Sequence, residues 1–106
     1  MKVRYKVWLE KDGEPIISEG KYRLLKAIER EGSIVKAAES LGISYKRAHS
    51  QIKAIEERLG RVIIERRRRR GACLTEEGKR LINEYEAVAK EFDRLASRLN
   101  TLQSEK

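Results

Sequence analysis

Between Ser33 and Gly60 the apolar positions fall on two helical repeats with a glycine between them. Ile34, Ala37, Ala38 and Leu41 fit a 3.6-residue period. Ala48, Ile52, Ile55 and Leu59 follow at spacings of four, three and four. Ser33 and Ser44 stand where N-caps belong, and Gly42 supplies the left-handed stop between the helices. At ~100° per residue, the face opposite Ala48 and Ile52 collects Lys46, Ser50 and Lys53, with Arg47 at its edge. A helix, a glycine turn and a second helix with an apolar back and a basic front make a helix-turn-helix pattern. The competing interpretation is a plain helical hairpin whose basic residues only solvate its outer face.

The flanking segments extend this pattern. Val3, Tyr5, Val7 and Leu9 alternate with Lys2, Arg4, Lys6 and Trp8, and Asp12-Gly13 supplies a turn. Residues 1–18 are therefore expected to form a β-hairpin, with Pro15 on an edge and with Tyr5 and Trp8 as ring anchors. Gly20 to Glu31 reads as a helix with Tyr22, Leu24, Leu25 and Ile28 inward, ended by Gly32. After Gly60, Val62-Ile63-Ile64 and Gly71-Ala72-Cys73-Leu74 are short strands around the run Arg66, Arg67, Arg68, Arg69 and Arg70. A hairpin in this place is the wing of a winged helix. Its arginines repel one another and belong in solvent or against phosphates, and Cys73 is expected as a small buried wing residue. From Thr75 the positions Leu81, Tyr85, Val88, Phe92, Leu95, Leu99 and Leu102 keep a heptad spacing. A helix from Thr75 to Leu102 would be ~42 Å long, more than a three-helix body can cover. Its far half calls for a partner outside the chain.

The predicted fold is thus mainly α with small β-hairpins: one domain over 1–106, with an N-terminal hairpin at 1–18, a winged helix-turn-helix at 19–74, a dimerisation helix at 75–102 and a tail at 103–106. Composition narrows the function. The chain has 106 residues, 40% of them charged, and a formal net charge of +8, which favours a polyanionic partner. Cys73 and His49 are the single members of their types, so no cysteine- or histidine-based metal or catalytic constellation is readable. No apolar run approaches the ~20 residues of a membrane span. The expectation is a cytoplasmic, nucleoid-associated protein that is not an enzyme and has no cofactor.

The expected DNA contacts are Ser33 and Ser44 at helix N-termini, Tyr45, Lys46, Arg47, Ser50 and Lys53 along the second helix, and Arg66 to Arg70 in the wing. Arg47 has the planar fork that matches guanine O6 and N7. Lys53 is expected at the backbone, with His49 and Gln51 on the flanks. Arg66 has a structural alternative, an ion pair with Glu65. The expected homodimer interface is Leu81, Tyr85, Val88, Phe92, Leu95 and Leu99.

The stretch GSIVKAAESLGISYKRAHSQI resembles the DNA-binding domain of the ModE-type molybdate-responsive regulators. The stretch IKAIEERLGRVIIERRRRRGACLTEEGKRL resembles the LysR-type regulators. Together they cover Glu19 to Leu81, and the preceding hairpin favours the ModE-like group. His49 departs from the ModE-type pattern, which has Trp there. The resemblance implies a winged-helix protein that binds double-stranded DNA as a dimer, probing the major groove with residues 44–59. LysR-like relatives imply antiparallel dimer helices. The effector module of these families is not expected in this chain, and with it no molybdate binding. The alternative function is a small architectural protein that coats DNA with little sequence preference. A third reading is an interaction module working through the heptad helix.

Overall fold

The computed structural model describes residues 1–69 and 71–104, the side chains of 103 and 104 excepted. The order is β1 (Trp8–Lys11), β2 (Glu14–Ser18), α1 (Glu19–Glu31), α2 (Ile34–Leu41), α3 (Tyr45–Leu59), β3 (Ile64–Arg67), β4 (Gly71–Leu74) and α4 (Glu76–Ser104). Each strand pair is an antiparallel two-stranded sheet. This is a mainly helical winged-helix fold with a long last helix, as the periodicities predict.

The helix boundaries follow from local chemistry. Ser33 Oγ accepts from the Lys36 N–H at 3.2 Å and Ser44 Oγ from the Arg47 N–H at 3.0 Å, each satisfying a free donor of a first turn. Gly42 closes α2 at φ 69°, a left-handed value that costs a residue with a Cβ ~1–2 kcal/mol. Thr75 starts α4: its Oγ1 accepts from the Gly78 N–H at 3.1 Å and donates to the Val62 carbonyl at 2.7 Å.

The core draws on every element but β1. Leu24, Leu25 and Ile28 from α1 meet Ala37 and Ala38 of α2 and Ala48, Ile52 and Ile55 of α3. Ile63, Ile64, Ala72 and Leu74 close it from the wing side, and Leu81, Ile82 and Tyr85 from α4. Gly78 makes the tightest approach. A Cβ there would stand 2.4 Å from the Ile63 carbonyl oxygen, so only glycine lets α4 lie this close to the wing root. The same root is tied to α3, because Glu56 Oε2 accepts from the Ile63 and Ile64 N–H groups at 2.9 and 3.3 Å.

Several expectations need correction. The N-terminal hairpin is shorter than residues 1–18: pairing begins at Trp8, around a turn with positive φ at both Asp12 and Gly13. The segment before it runs instead along α4, where Val3 N–H meets Asn100 Oδ1 at 2.8 Å and the Tyr5 ring meets Phe92 with centroids 5.8 Å apart. Alternating apolar residues suit an extended arm on a helix as well as a strand. Tyr5 is therefore an anchor, but Trp8 is not. It is 52% exposed, with its indole N–H on Glu10. The hairpin is held by polar ties to the end of α3 (Arg58 Nη1 to the Pro15 carbonyl at 2.7 Å, Lys11 Nζ to the Leu59 carbonyl at 3.3 Å) and by Ile16 and Ile17 in the core. Cys73 is only half-buried, because Ala72 and Leu74 take the inward positions on either side.

Candidate nucleic-acid interface

One face of the molecule gathers the N-termini of α2 and α3, the exposed side of α3 and the wing. On α3, Lys46, Arg47, Ser50 and Lys53 are all exposed, while Ala48, Ile52 and Ile55 hold the opposite side in the core. The helix is thus fixed by its back and free along its front. Its capped N-terminus, with free backbone donors and the positive end of the helix dipole, opens the same front. Ser33 stands half-buried at the start of α2.

The wing reaches this front through Arg66. In the β3–β4 register Ile64 faces Leu74 and Arg66 faces Ala72, so these four share one side of the hairpin. Arg66 prolongs the core-facing stripe beyond the core, and its Nη1 donates to Tyr45 Oη at 3.4 Å. Tyr45 is 45% exposed and lies beside His49, with ring centroids 6.0 Å apart and planes 29° apart. The first turn of α3 and the wing therefore form a continuous polar edge. Behind it lies a hollow of about 450 Å³ lined by Ile34, Val35, Tyr45, Arg66, Arg67, Gly71 and Ala72.

The structure separates the two roles weighed for Arg66. The ion pair to Glu65 is made by Arg67, whose Nη2 lies 3.6 Å from Oε2 and whose Nε donates to Cys73 Sγ at 3.1 Å. Glu65, Arg67 and Cys73 share the outer side, one residue out of phase with Arg66. The Cys73 sulfur, followed by the Glu65 charge, shifts the Arg67 guanidinium above its ordinary pKa. Arg68 and Arg69 are exposed at the wing tip, and Arg69 takes φ 57°. Arg70 lies outside the described residues.

Sequence reasoning did not single out Val35. It is half-buried two positions beyond the Ser33 cap, off the core-facing stripe of α2, and that phase was the available signal. Among the described residues, no group of three His, Cys, Asp or Glu is placed to hold a metal, and no helix is long and apolar enough to cross a membrane.

Residues 20–79 match the model of the bacterial regulatory helix-turn-helix proteins of the lysR family. The chain belongs to this family. The matched span runs from α1 through the wing into the first turn of α4, so it contains the whole basic front. Among curated proteins, the LysR-family chain is 37% identical over 100 residues to the molybdenum transport protein ModE of Azotobacter vinelandii, covering 87% of this chain and 37% of that protein. It is 43% identical over 84 residues to a probable RuBisCO transcriptional regulator of Guillardia theta, covering 76% of this chain and 27% of that one. The chain thus spans about a third of the length of these relatives. Among solved structures it resembles the CbnR DNA-binding domain in complex with DNA, with a TM-score of 0.65 and 25% identity over 79% of this chain and 95% of that one.

The six positions expected at the dimer interface fall into two groups. Leu81 and Tyr85 are 6% and 4% exposed and belong to the chain's own core, which corrects their assignment to a dimer surface. The reason is length: the body covers the first three turns of α4, as far as Tyr85. Val88 and Leu99 are half-buried, while Phe92 and Leu95 are exposed at 44% and 42%.

Proposed function

We propose that this LysR-family chain is a sequence-specific double-stranded DNA-binding module of a dimeric transcription regulator. One observation carries the reading. Lys46, Arg47 and Ser50 stand exposed on a helix whose back is locked in the core, and Arg66 of the wing meets the first turn of that helix. A rigidly held helix with a polar front is what the major groove accepts. Arg47 makes the bidentate guanine contact, with Lys46 and Ser50 at neighbouring base edges. Ser33, Ser44, Tyr45 and Lys53 meet phosphates at the rim. Arg66 to Arg70 follow the backbone or enter the adjacent minor groove. The exposed guanidinium of Arg69 at the wing tip supports this assignment.

Two copies pair through the outer half of α4 along Val88, Phe92, Leu95 and Leu99. Exposed apolar side chains at heptad spacing support a helical partner there. The DNA complex of the CbnR domain supports the partner class.

Selection of bound duplexes from a random pool by the purified protein tests the proposal. The expected product is a motif of two half-sites, ~34 Å or a multiple apart, bound ~10³-fold or more above random duplex at fixed salt. Recovery of unenriched sequence would replace this reading with the architectural one.

A further inference from the structure

The segment before the first strand is built into α4. Val7, Tyr5 and Val3 descend the helix in reverse order. The Tyr85 hydroxyl donates to the Val7 carbonyl at 3.2 Å, the Tyr5 ring lies on Phe92, and Val3 meets Asn100. The last contact is two-sided. Asn100 Oδ1 accepts from the Val3 N–H at 2.8 Å, and Asn100 Nδ2 donates to the Val3 carbonyl at 3.3 Å. A side-chain amide here does what a neighbouring strand does for an extended chain.

Phe92, Ala96 and Asn100 are spaced by four and form one row along the helix. The arm touches both ends of that row, and Ala96 between them is half-buried although its neighbours Leu95, Ser97 and Arg98 are exposed. The adjacent lane, Val88, Leu95, Leu99 and Leu102, is not closed by it: Leu95 and Leu102 remain 42% and 51% exposed. The arm thus occupies one side of the heptad seam and leaves the other open.

The occupant of the open lane is read from charge. In an antiparallel second copy centred between Asp93 and Arg94, Leu95 faces the partner's Phe92 and Val88 faces the partner's Leu99. On the flank away from the arm, Glu91, which already pairs with Arg94 of its own chain at 2.6 Å, also comes beside the partner's Arg98, and the symmetry makes this contact twice. A seam that is self-complementary in both apolar spacing and charge fits another copy of the same chain.

We propose that the arm, residues 3–7, is a structural wall of the homodimer interface, seating the partner's helix between itself and the Glu91–Arg98 flank. This rests on the dimer reading above. The arm fixes the side on which the partner docks and fills space beside Ala96 that a bare pair of helices would leave open.

The test is a sedimentation dilution series on the full chain and on the variants Tyr5→Ala, Asn100→Asp and Leu95→Asp. Asn100→Asp removes the donor to Val3 and sets a carboxylate against a carbonyl. Tyr5 and Asn100 lie outside the core, so the variants are expected to keep the wild-type circular dichroism spectrum. The expected result is a dimer dissociation constant raised roughly tenfold or more in Tyr5→Ala and Asn100→Asp, with Leu95→Asp monomeric throughout. Amide exchange gives a second readout: residues 3–7 should exchange more slowly in the wild-type dimer than after dilution to monomer. Unchanged dissociation constants or equal exchange rates, with Leu95→Asp still monomeric, would overturn the arm's role and leave the dimer standing. A wild-type chain monomeric at every concentration would overturn both.

Discussion

Arg47 and Gly78 show how differently single residues can matter in this chain. Arg47 has an exposed side chain, and its backbone N–H donates to Ser44 Oγ. Arg47→Ala should leave the unfolding midpoint unchanged, cost ~1–3 kcal/mol on the preferred duplex and relax preference at one base position per half-site, as binding assays on a panel of substituted duplexes would reveal. Affinity falling equally on every duplex would contradict base reading by this residue. Gly78→Ala acts in the opposite sense. It forces a methyl group against the Ile63 carbonyl at 2.4 Å, and chemical denaturation should record a loss of roughly 1–3 kcal/mol. Tyr22 adds a pH signature. Burial first, then the hydrogen bond to Glu86, pushes its phenol up to about 12. The native state therefore keeps this proton where the unfolded chain releases it. The linked stability is whole below the ordinary tyrosine value of ~10 and is lost as pH rises from there to about 12. Urea midpoints measured across that window should fall faster for wild type than for Tyr22→Phe.

At the scale of elements, the wing is the most charged part of the molecule. Arg67, Arg68 and Arg69 changed together to Ala should weaken binding to all sequences, with the salt slope falling by roughly 0.9 for each phosphate no longer neutralised. An unchanged slope would take the wing off the DNA. The elements themselves were largely legible before folding. Ser33, Gly42, Ser44 and Gly60 are position-specific signals, and the apolar periods of α1, α2 and α3 each point to one buried face. What escaped lay in choices that periodicity leaves open. A period of two does not say whether Val3, Tyr5 and Val7 pair with a strand or lie on a helix. Adjacent arginines look alike until the β3–β4 register gives Arg66 to Tyr45 and Arg67 to Glu65. Heptad spacing cannot mark where α4 leaves the core, so Leu81 and Tyr85 read the same as Leu95. The basic front of α3 was readable because it is local to one helix. The hollow beside Val35 was not, because it needs two elements brought together.

At the scale of the whole molecule, the dimer proposed above depends on the outer half of α4. Truncation ahead of Leu81 would be a poor probe, since it would strip Leu81, Ile82 and Tyr85 from the core. Leu95→Asp with Leu99→Asp keeps those residues and should give a folded monomer by light scattering, with binding to a two-half-site duplex falling toward that of a single half-site. A dimer surviving both changes would place the interface elsewhere.

The close approach at Gly78 also has a geometric reading. Beyond Tyr85, the last core residue of α4, the helix runs ~28 Å to its end at 104 as a stiff spoke. A tilt of about 7° at its base would swing the tip by ~3.4 Å, one base-pair step of a duplex. The missing Cβ at Gly78 sets how closely the base of that spoke seats on the wing root. In the dimer proposed above, a methyl group there would alter the gap between two half-sites that the pair can span, and spacing-varied duplexes would record the change as a shifted optimum.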